Sequence, residues 1–380
     1  KNNAASAFAG AAEVKGTIPG VLGGYQNGVS VRPTAQNDQF MFFVDEVELD
    51  LAKSFGENIR LRADLDFGST ALNSGRRFEP ARTNNAGGLG AIGGDAIGVD
   101  LEQAYATTNL AIGNGVEMLM GRFNAPMGFE ANDTNENDTI SKSVLARALR
   151  PNSFTGVKFF YAFSDMVDFH LYASNGGLTH DSYTDFGQAG DIPTGGFRLG
   201  FNWGDEGSEN VFGLSGAIGR DHVTASKRGR TFLGDVDFNI WATDSFAIGG
   251  EALYRQIDTV TAAPTAGHKN GKYLGGLVNF HYDISDVWDG TLRYSYAQNY
   301  TTGGVGNGVP DSYGNVSAEQ SLFGAVNGKG KMHEAALAAN YAISDGATFR
   351  VEGNWTYVNP KAAGANEKFY GVAGALSYAF

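Results

Sequence analysis

The chain has 380 residues, with 54 Gly, 26 Phe, 16 Tyr, no Cys and a formal net charge of -13. That acidity excludes nucleic acid as the main partner, because phosphate binding needs a basic surface. The missing Cys excludes a disulfide scaffold, and no apolar run reaches the ~18 residues of a transmembrane helix. No composition shift or Pro/Ser-rich linker divides the chain, so one large architecture of aromatic strands and glycine-rich turns is expected. Beginning at Lys1 without a Met or an apolar h-region, the chain is expected to have lost a secretory signal.

Residues 1–13 are Ala-rich and read as a loose periplasmic tail or short helix, and 14–30 as a first strand on weak alternation. The signal then sharpens. Phe43, Val47, Leu49 and Leu51 alternate with Glu46, Glu48 and Asp50; beyond Ser54, Ile59, Leu61, Leu65 and Phe67 alternate with Arg60, Arg62, Asp64 and Asp66. This is a hairpin. Strands of the same kind are expected near 98–112, 115–127, 154–164, 166–177, 194–204, 209–223, 229–242, 244–257, 269–284, 286–302, 329–343, 346–359 and 366–380. Short connections, such as Ile-Gly-Asn-Gly at 112–115, Phe-Ser-Asp at 163–165, Thr-Asp-Ser at 243–245 and Ile-Ser-Asp at 284–286 and 343–345, alternate with long Gly/Asn/Thr-rich ones near 71–97, 128–153, 178–193, 258–268 and 303–328.

That alternation predicts an all-β fold, a transmembrane antiparallel β-barrel of about 16 strands over residues 14–380, with short periplasmic turns on one rim and long extracellular loops on the other. Hydrocarbon cannot satisfy free backbone groups, so spanning strands must close into a cylinder. The loop-length alternation weighs against the alternative, a soluble β-sandwich. At about 16 strands the polar faces line water, whereas about 8 strands fill the interior with side chains. The expected lumen wall includes Arg60, Arg62, Asp64, Asp66, Asp100, Glu102, Arg122, Arg198, Arg293 and Arg350, interleaved with Glu48, Asp50, Asp237, Glu251, Glu334 and Glu352. Aromatic girdles are expected at both interfaces. Phe163, Trp203, Trp241, Tyr282 and Trp288 belong to the short-turn rim, and Phe40, Phe67, Phe123, Phe197 and Phe369 lie one crossing away.

Residues 128–153, the third outer loop, have an acidic half with Glu130, Asp133, Glu136 and Asp138 and a helix-like half with Lys142, Arg147 and Arg150. Asp138 or Thr139 is placed to cap a helix whose Ile140, Val144, Leu145 and Leu149 share a face before Pro151. This loop is the candidate to fold inward and constrict the lumen; an exposed surface loop and a calcium site are the alternatives, although the spacing is not that of an EF-hand. The acidic excess among inward-facing residues and the acidic half of this loop predict a modest cation preference, while Arg60, Arg62 and Arg122, read as near its root, would form a basic wall opposite and a transverse field between the two. Gly88 to Gly93 matches a dinucleotide fingerprint without the strand and helix it needs, and reads as a loop. His170 and His281 are on inward faces, and no Gly-x-Ser-x-Gly elbow accompanies them. An outer-membrane phospholipase using one of them as base is a remote alternative. No catalytic residue, metal or cofactor is expected.

Gly121-Arg122-Phe123, Pro126, Gly128 and Glu130, then Thr155-Gly156-Val157 and Asn175-Gly176-Gly177, resemble the pattern of OmpL-like outer-membrane β-barrel porins. The final Tyr378 and Phe380 resemble the C-terminal signal read by the outer-membrane assembly machinery. The resemblance implies an integral place in the bacterial outer membrane among lipid and lipopolysaccharide, diffusion of small hydrophilic solutes and a homotrimer. The Pro-Glu-Phe-Gly-Gly-Asp segment of enterobacterial trimeric porins is absent from the third loop, so their constriction residues are not carried over. A structural or surface-recognition barrel and a solute-specific channel remain the other readings.

Overall fold

A period-two pattern gives each strand one oily and one charged face, and the way strands pair decides which of them meets solvent. The computed structural model describes residues 11–18, 46–56, 58–68, 98–175, 178, 193–205, 208–224, 227–258, 271–300, 330–360 and 367–379. The strands are β1 (Ala11–Ile18), β2 (Val47–Phe55), β3 (Ile59–Gly68), β4 (Gly98–Leu110), β5 (Val116–Asn124), β6 (Ser153–Ser164), β7 (Val167–Ser174), β8 (Thr194–Trp203), β9 (Asn210–Thr224), β10 (Lys227–Thr243), β11 (Phe246–Ile257), β12 (Gly271–Ser285), β13 (Trp288–Asn299), β14 (Gly330–Ser344), β15 (Ala347–Pro360) and β16 (Glu367–Ala379). From β2 to β16 they run as one antiparallel meander, and β1 pairs with both ends to close a barrel. Among the described residues the closing seam pairs Lys15, Gly16, Thr17 and Ile18 with Ala379, Tyr378, Ser377 and Leu376.

The first strand starts earlier than weak alternation suggested. Its described part, Ala11–Ile18, takes in residues 11–13, read above as tail, while 19–30 lie outside the described residues. Phe40, the glycine motif at 88–93 and Phe380 lie outside the described residues, as do the side chains of Asp100 and Phe369.

Burial is inverted relative to a soluble protein. On β14, Glu334 is fully buried while Leu337 is 64% exposed; on β13, Arg293 is 1% exposed beside Leu292 at 48%. Apolar side chains such as Met120, Leu171, Ile218 and Tyr370 cover the outside. A soluble fold exposing so continuous an apolar belt would associate through it, whereas a bilayer is the solvent that rewards it. No described helix is long and apolar enough to cross a membrane; the strands do so.

Four short hairpins share one turn chemistry. Between β6 and β7, β10 and β11, β12 and β13, and β14 and β15, the register slips by one residue just before the turn. The extra residue is Phe163, Ala242, Ile284 or Ile343, and the three large ones are more than half exposed. In three of these turns the following Ser or Thr oxygen caps an amide: Met166 N–H donates to Ser164 Oγ at 3.2 Å, Trp288 N–H to Ser285 Oγ at 3.2 Å and Ser245 N–H to Thr243 Oγ1 at 3.4 Å. The recurring apolar-Ser-Asp tripeptide is thus a bulged turn that aims an apolar side chain at the membrane interface.

Two girdle assignments are overturned. Trp241 shares the inward parity of Asp235 and Asp237, and its ring meets His281 edge-on at 5.7 Å. Phe123 is 1% exposed and packs on Phe154 inside the barrel, with ring centroids 6.3 Å apart, because the loop after β5 brings apolar side chains to meet it. Phe163, Trp203, Tyr282, Trp288 and Phe197 do face outward.

Candidate functional site

The segment 125–152 leaves β5 and returns to β6 through a neck closed by Ala125 N–H on Asn152 O at 2.8 Å. Within it are a 3₁₀ turn, Thr134–Glu136, and one short helix, α1 (Val144–Ala148). Its cap is Ser143, not Asp138 or Thr139. The Ser143 backbone is extended and its Oγ accepts Ala146 N–H at 3.1 Å. Thr139 is otherwise engaged, donating to Ser141 O at 2.9 Å. Ser143 itself donates to Glu130 through N–H at 3.0 Å and Oγ–H at 2.5 Å, tying the start of the helix to the acidic half of the loop.

An apolar cluster forms where α1 meets the inner wall. Val144, Leu145 and Leu149 are buried with Phe123, Phe154, Tyr172, Leu233 and Leu253. Each such side chain contributes about 1.5–3 kcal/mol when fully buried. The wall makes room with glycine: a methyl at Gly275 on β12 would stand 2.8 Å from Leu149 Cδ1 and 2.9 Å from Leu145 Cγ, and one at Gly249 on β11 would collide with the Phe129 ring.

Polar contacts then reach strands distant in sequence. Arg293 on β13 donates to Glu130 Oε1 at 2.6 Å, Thr139 Oγ1 at 2.6 Å, Ser141 Oγ at 2.9 Å and Glu334 Oε1 at 3.0 Å. Arg147 donates to the other Glu334 oxygen at 2.7 Å. Glu251 on β11 accepts Phe129 N–H at 2.8 Å and Arg150 at 3.3 Å. Ser141 N–H donates to Glu352 on β15 at 3.0 Å, and Arg350 donates to Asn135 O at 2.7 Å. Asp138 accepts from Asn279 at 2.8 Å and lies 3.5 Å from His281. Burial opposes ionisation of Glu130, but Arg293 and the Ser143 donors outweigh it and lower the carboxyl below its ordinary range. Asp138 is likewise lowered, with hydrogen bonding from His281 overcoming burial.

Of the loop charges singled out from sequence, Glu130, Arg147 and Arg150 are thus bonded to the wall, Lys142 donates to Asn132 O within the loop, and Glu136 is exposed. Glu136 and Asp138 line a cavity of about 340 Å³ together with Arg198, Asp237, Trp241 and His281. Arg198 is bidentate on Asp237, its Nη2 at 2.7 Å from Oδ1. The expectation that Arg60, Arg62 and Arg122 form a basic wall at the root of the loop is corrected for Arg60 and Arg62, whereas Arg122 does sit near the end of β5, where the loop begins. Arg60 sits opposite Ser54 beside the short turn, at the other rim from the loop, and Arg62 is bonded to Asp64 at 2.7 Å and Asp50 at 3.4 Å. The strands there present Glu48, Asp50, Asp64, Asp66 and Glu102, all buried. Asp100 lies in register with Asp66. Arg122 donates to Glu102 O at 2.9 Å.

Parity reasoning missed Gln103. A register slip at Glu102 turns both it and Gln103 inward, where Gln103 donates to Asp64 at 2.7 Å and accepts Asn124 N–H at 3.0 Å. It also missed the small polar groups that receive the loop: Ser295, which accepts Val144 N–H at 3.3 Å, and Asn340, which donates to Asp138 O at 3.1 Å. Their inward parity was the one available signal. Tyr378 lies on the outward face and is 46% exposed.

Residues 15–380 match the family described as "Putative beta-barrel porin-2, OmpL-like". The chain belongs to this family. It is an integral β-barrel of the bacterial outer membrane and a porin-type channel. Solved structures with similar folds include the outer membrane channel DcaP of Acinetobacter baumannii, at TM-score 0.61 and 12% identity, covering 97% of this chain and 94% of that one. Others are an anion-selective porin from Comamonas acidovorans, at TM-score 0.58 and 9% identity over 98% of this chain and 100% of that one, and OmpT of Vibrio cholerae in its trimer form, at 0.57 and 11% over 98% and 100%. No curated protein matches the chain significantly in sequence.

Proposed function

We propose that the barrel is a non-enzymatic, water-filled pore for passive diffusion of small hydrophilic solutes and ions, constricted by segment 125–152 and modestly selective for cations. The observation carrying this reading is the lumen's charge: carboxylates of β2, β3 and β4 on one side, and Glu136 and Asp138 beside the cavity on the other. Charged rings of one sign in a narrow aqueous section favour counter-ions without excluding others. The anion-selective Comamonas relative shares the fold at 9% identity, so the sign of preference belongs to the wall residues of each chain and not to the architecture. A homotrimer fits the trimer form of the Vibrio relative.

The deciding measurement is the reversal potential across a KCl gradient in a planar bilayer. Cation preference is expected at ~0.1 M salt, fading toward 1 M as the Debye length falls from ~10 to ~3 Å. Joint replacement of Glu136→Gln and Asp138→Asn should reduce it. Anion preference at low salt, or an electrically silent folded barrel, overturns the reading; saturable current block by one solute would favour a solute-specific channel instead.

A further inference from the structure

On the acidic flank, carboxylates form three overlapping trios that share Glu48: with Asp66 and Glu102, with Asp50 and Asp64, and with Glu46 and Asp133. In each trio one oxygen per residue lies within 4.8 Å of the others. That is the span of two ligands on opposite sides of an ion bound at about 2.4 Å, within the calcium–oxygen range. Close approach of like charges alone would name no ligand. Glu48 supplies the second observation: it is 1% exposed, and neither of its carboxylate oxygens has a hydrogen-bond partner. An ionised carboxylate in that state is among the most costly groups to bury.

The three trios are not equivalent. Asp50 and Asp64 already bond Arg62, so part of their charge is met. Glu46 accepts Thr134 N–H at 3.2 Å, which places the third trio at the junction between β2 and the loop. All donors are carboxylate oxygens, without His or Cys, which suits a hard cation and not zinc. An irregular set of carboxylates from three strands and a loop suits calcium better than magnesium, which demands a near-ideal octahedron and keeps its waters.

We propose that this flank holds one calcium ion centred on Glu48, Asp66 and Glu102, with Glu46 and Asp133 joining it to the loop. The ion offsets part of the flank's negative charge, leaving the wall acidic, and tethers Asp133 of segment 125–152 to β2, complementing the Arg293 contacts to Glu130, Thr139 and Ser141. This site does not depend on which solutes pass.

The test uses the full chain refolded into detergent from denatured protein, so that no lipopolysaccharide carries calcium, then stripped with chelator and titrated calorimetrically with CaCl2. One ion per chain is expected, with a Kd between about 10⁻⁶ and 10⁻³ M. Glu48→Gln should weaken binding at least tenfold, while Asp286→Asn, on an exposed short turn, should leave it unchanged. Should Glu48→Gln fail to fold, as judged by heat-modifiable migration, Asp66→Asn is expected to give the same weakening. No stoichiometric binding to the wild type at millimolar calcium overturns the proposal. Binding that survives both Glu48→Gln and Asp66→Asn does so equally, and equal affinity for MgCl2 overturns the choice of ion.

Discussion

The two flanks of the lumen both carry buried charges on inward-facing strand positions, yet they behave differently. Under α1, along β11 to β14, charges meet opposites: Arg293 lies between Glu130 and Glu334, Arg147 takes the second Glu334 oxygen and Arg150 reaches Glu251. Along β2 to β4, carboxylate crowds carboxylate, and both Glu48 oxygens lack a hydrogen-bond partner. The first flank is a docking surface and the second a source of field. What separates them is the wall, which offers buried carboxylates on β2 to β4 but Arg293, Arg255, Ser295 and Asn279 among its carboxylates on β11 to β14, and which part of segment 125–152 crosses in front.

Breaking the docked flank should have the largest effect. Arg293→Met leaves Glu130 and Glu334 buried without that partner, and losing one member of a buried ion pair costs about 3–5 kcal/mol. Trypsin is then expected to cut the folded barrel at Lys142 or Arg147, and single-channel conductance to rise; a variant as resistant and as narrow as wild type would show that the apolar contacts alone hold the loop. Gly275→Val attacks those apolar contacts instead, with overpacking of about 1–3 kcal/mol. It should produce partial proteolysis at the same sites, while Gly195→Ala, where a Cβ meets nothing within 4 Å, stays intact.

Acid is the mildest perturbation. Glu130 and Asp138 have folded-state values depressed below about 4.5 and 3.8, so their stabilisation is complete above those ordinary values and is lost as pH falls through the depressed ones. Conductance should therefore be the same at pH 7 and pH 5 and become larger and noisier only once the pH falls below the ordinary carboxylate range. A change between pH 7 and pH 5 would place the sensitive groups elsewhere, on the acidic flank.

The barrel was legible because alternation persists along most strands and because loop lengths alternate between rims; Glu48, Asp64, Arg293 and Glu352 read inward from parity alone. Parity failed where the backbone departs from it. The slip at Glu102 brings Gln103 inside, and Gly121, at φ 138°, adopts a conformation that L side chains rarely take, beside Ala104 and Tyr105. Phe123 was misread for another reason: an aromatic ring on a barrel strand faces lipid unless something apolar enters the lumen, and α1 does. The loop's helix was visible in Val144, Leu145 and Leu149, but its cap was not, since Ser143 wins that role through Glu130 and the wall behind it. Long-range partners such as Ser295 and Asn340 carry no local pattern at all.

The closing seam between β1 and β16 bears on how the cylinder comes to exist. Every other pairing in the barrel joins strands consecutive in sequence, so it closes a loop no longer than one connection and forms early at modest entropic cost. The seam alone must bring together residues 15–18 and 376–379, the whole chain apart. On loop-closure grounds it is expected to be the slow step on the way in, so the last joint to form is the one that turns an open sheet into a sealed pore.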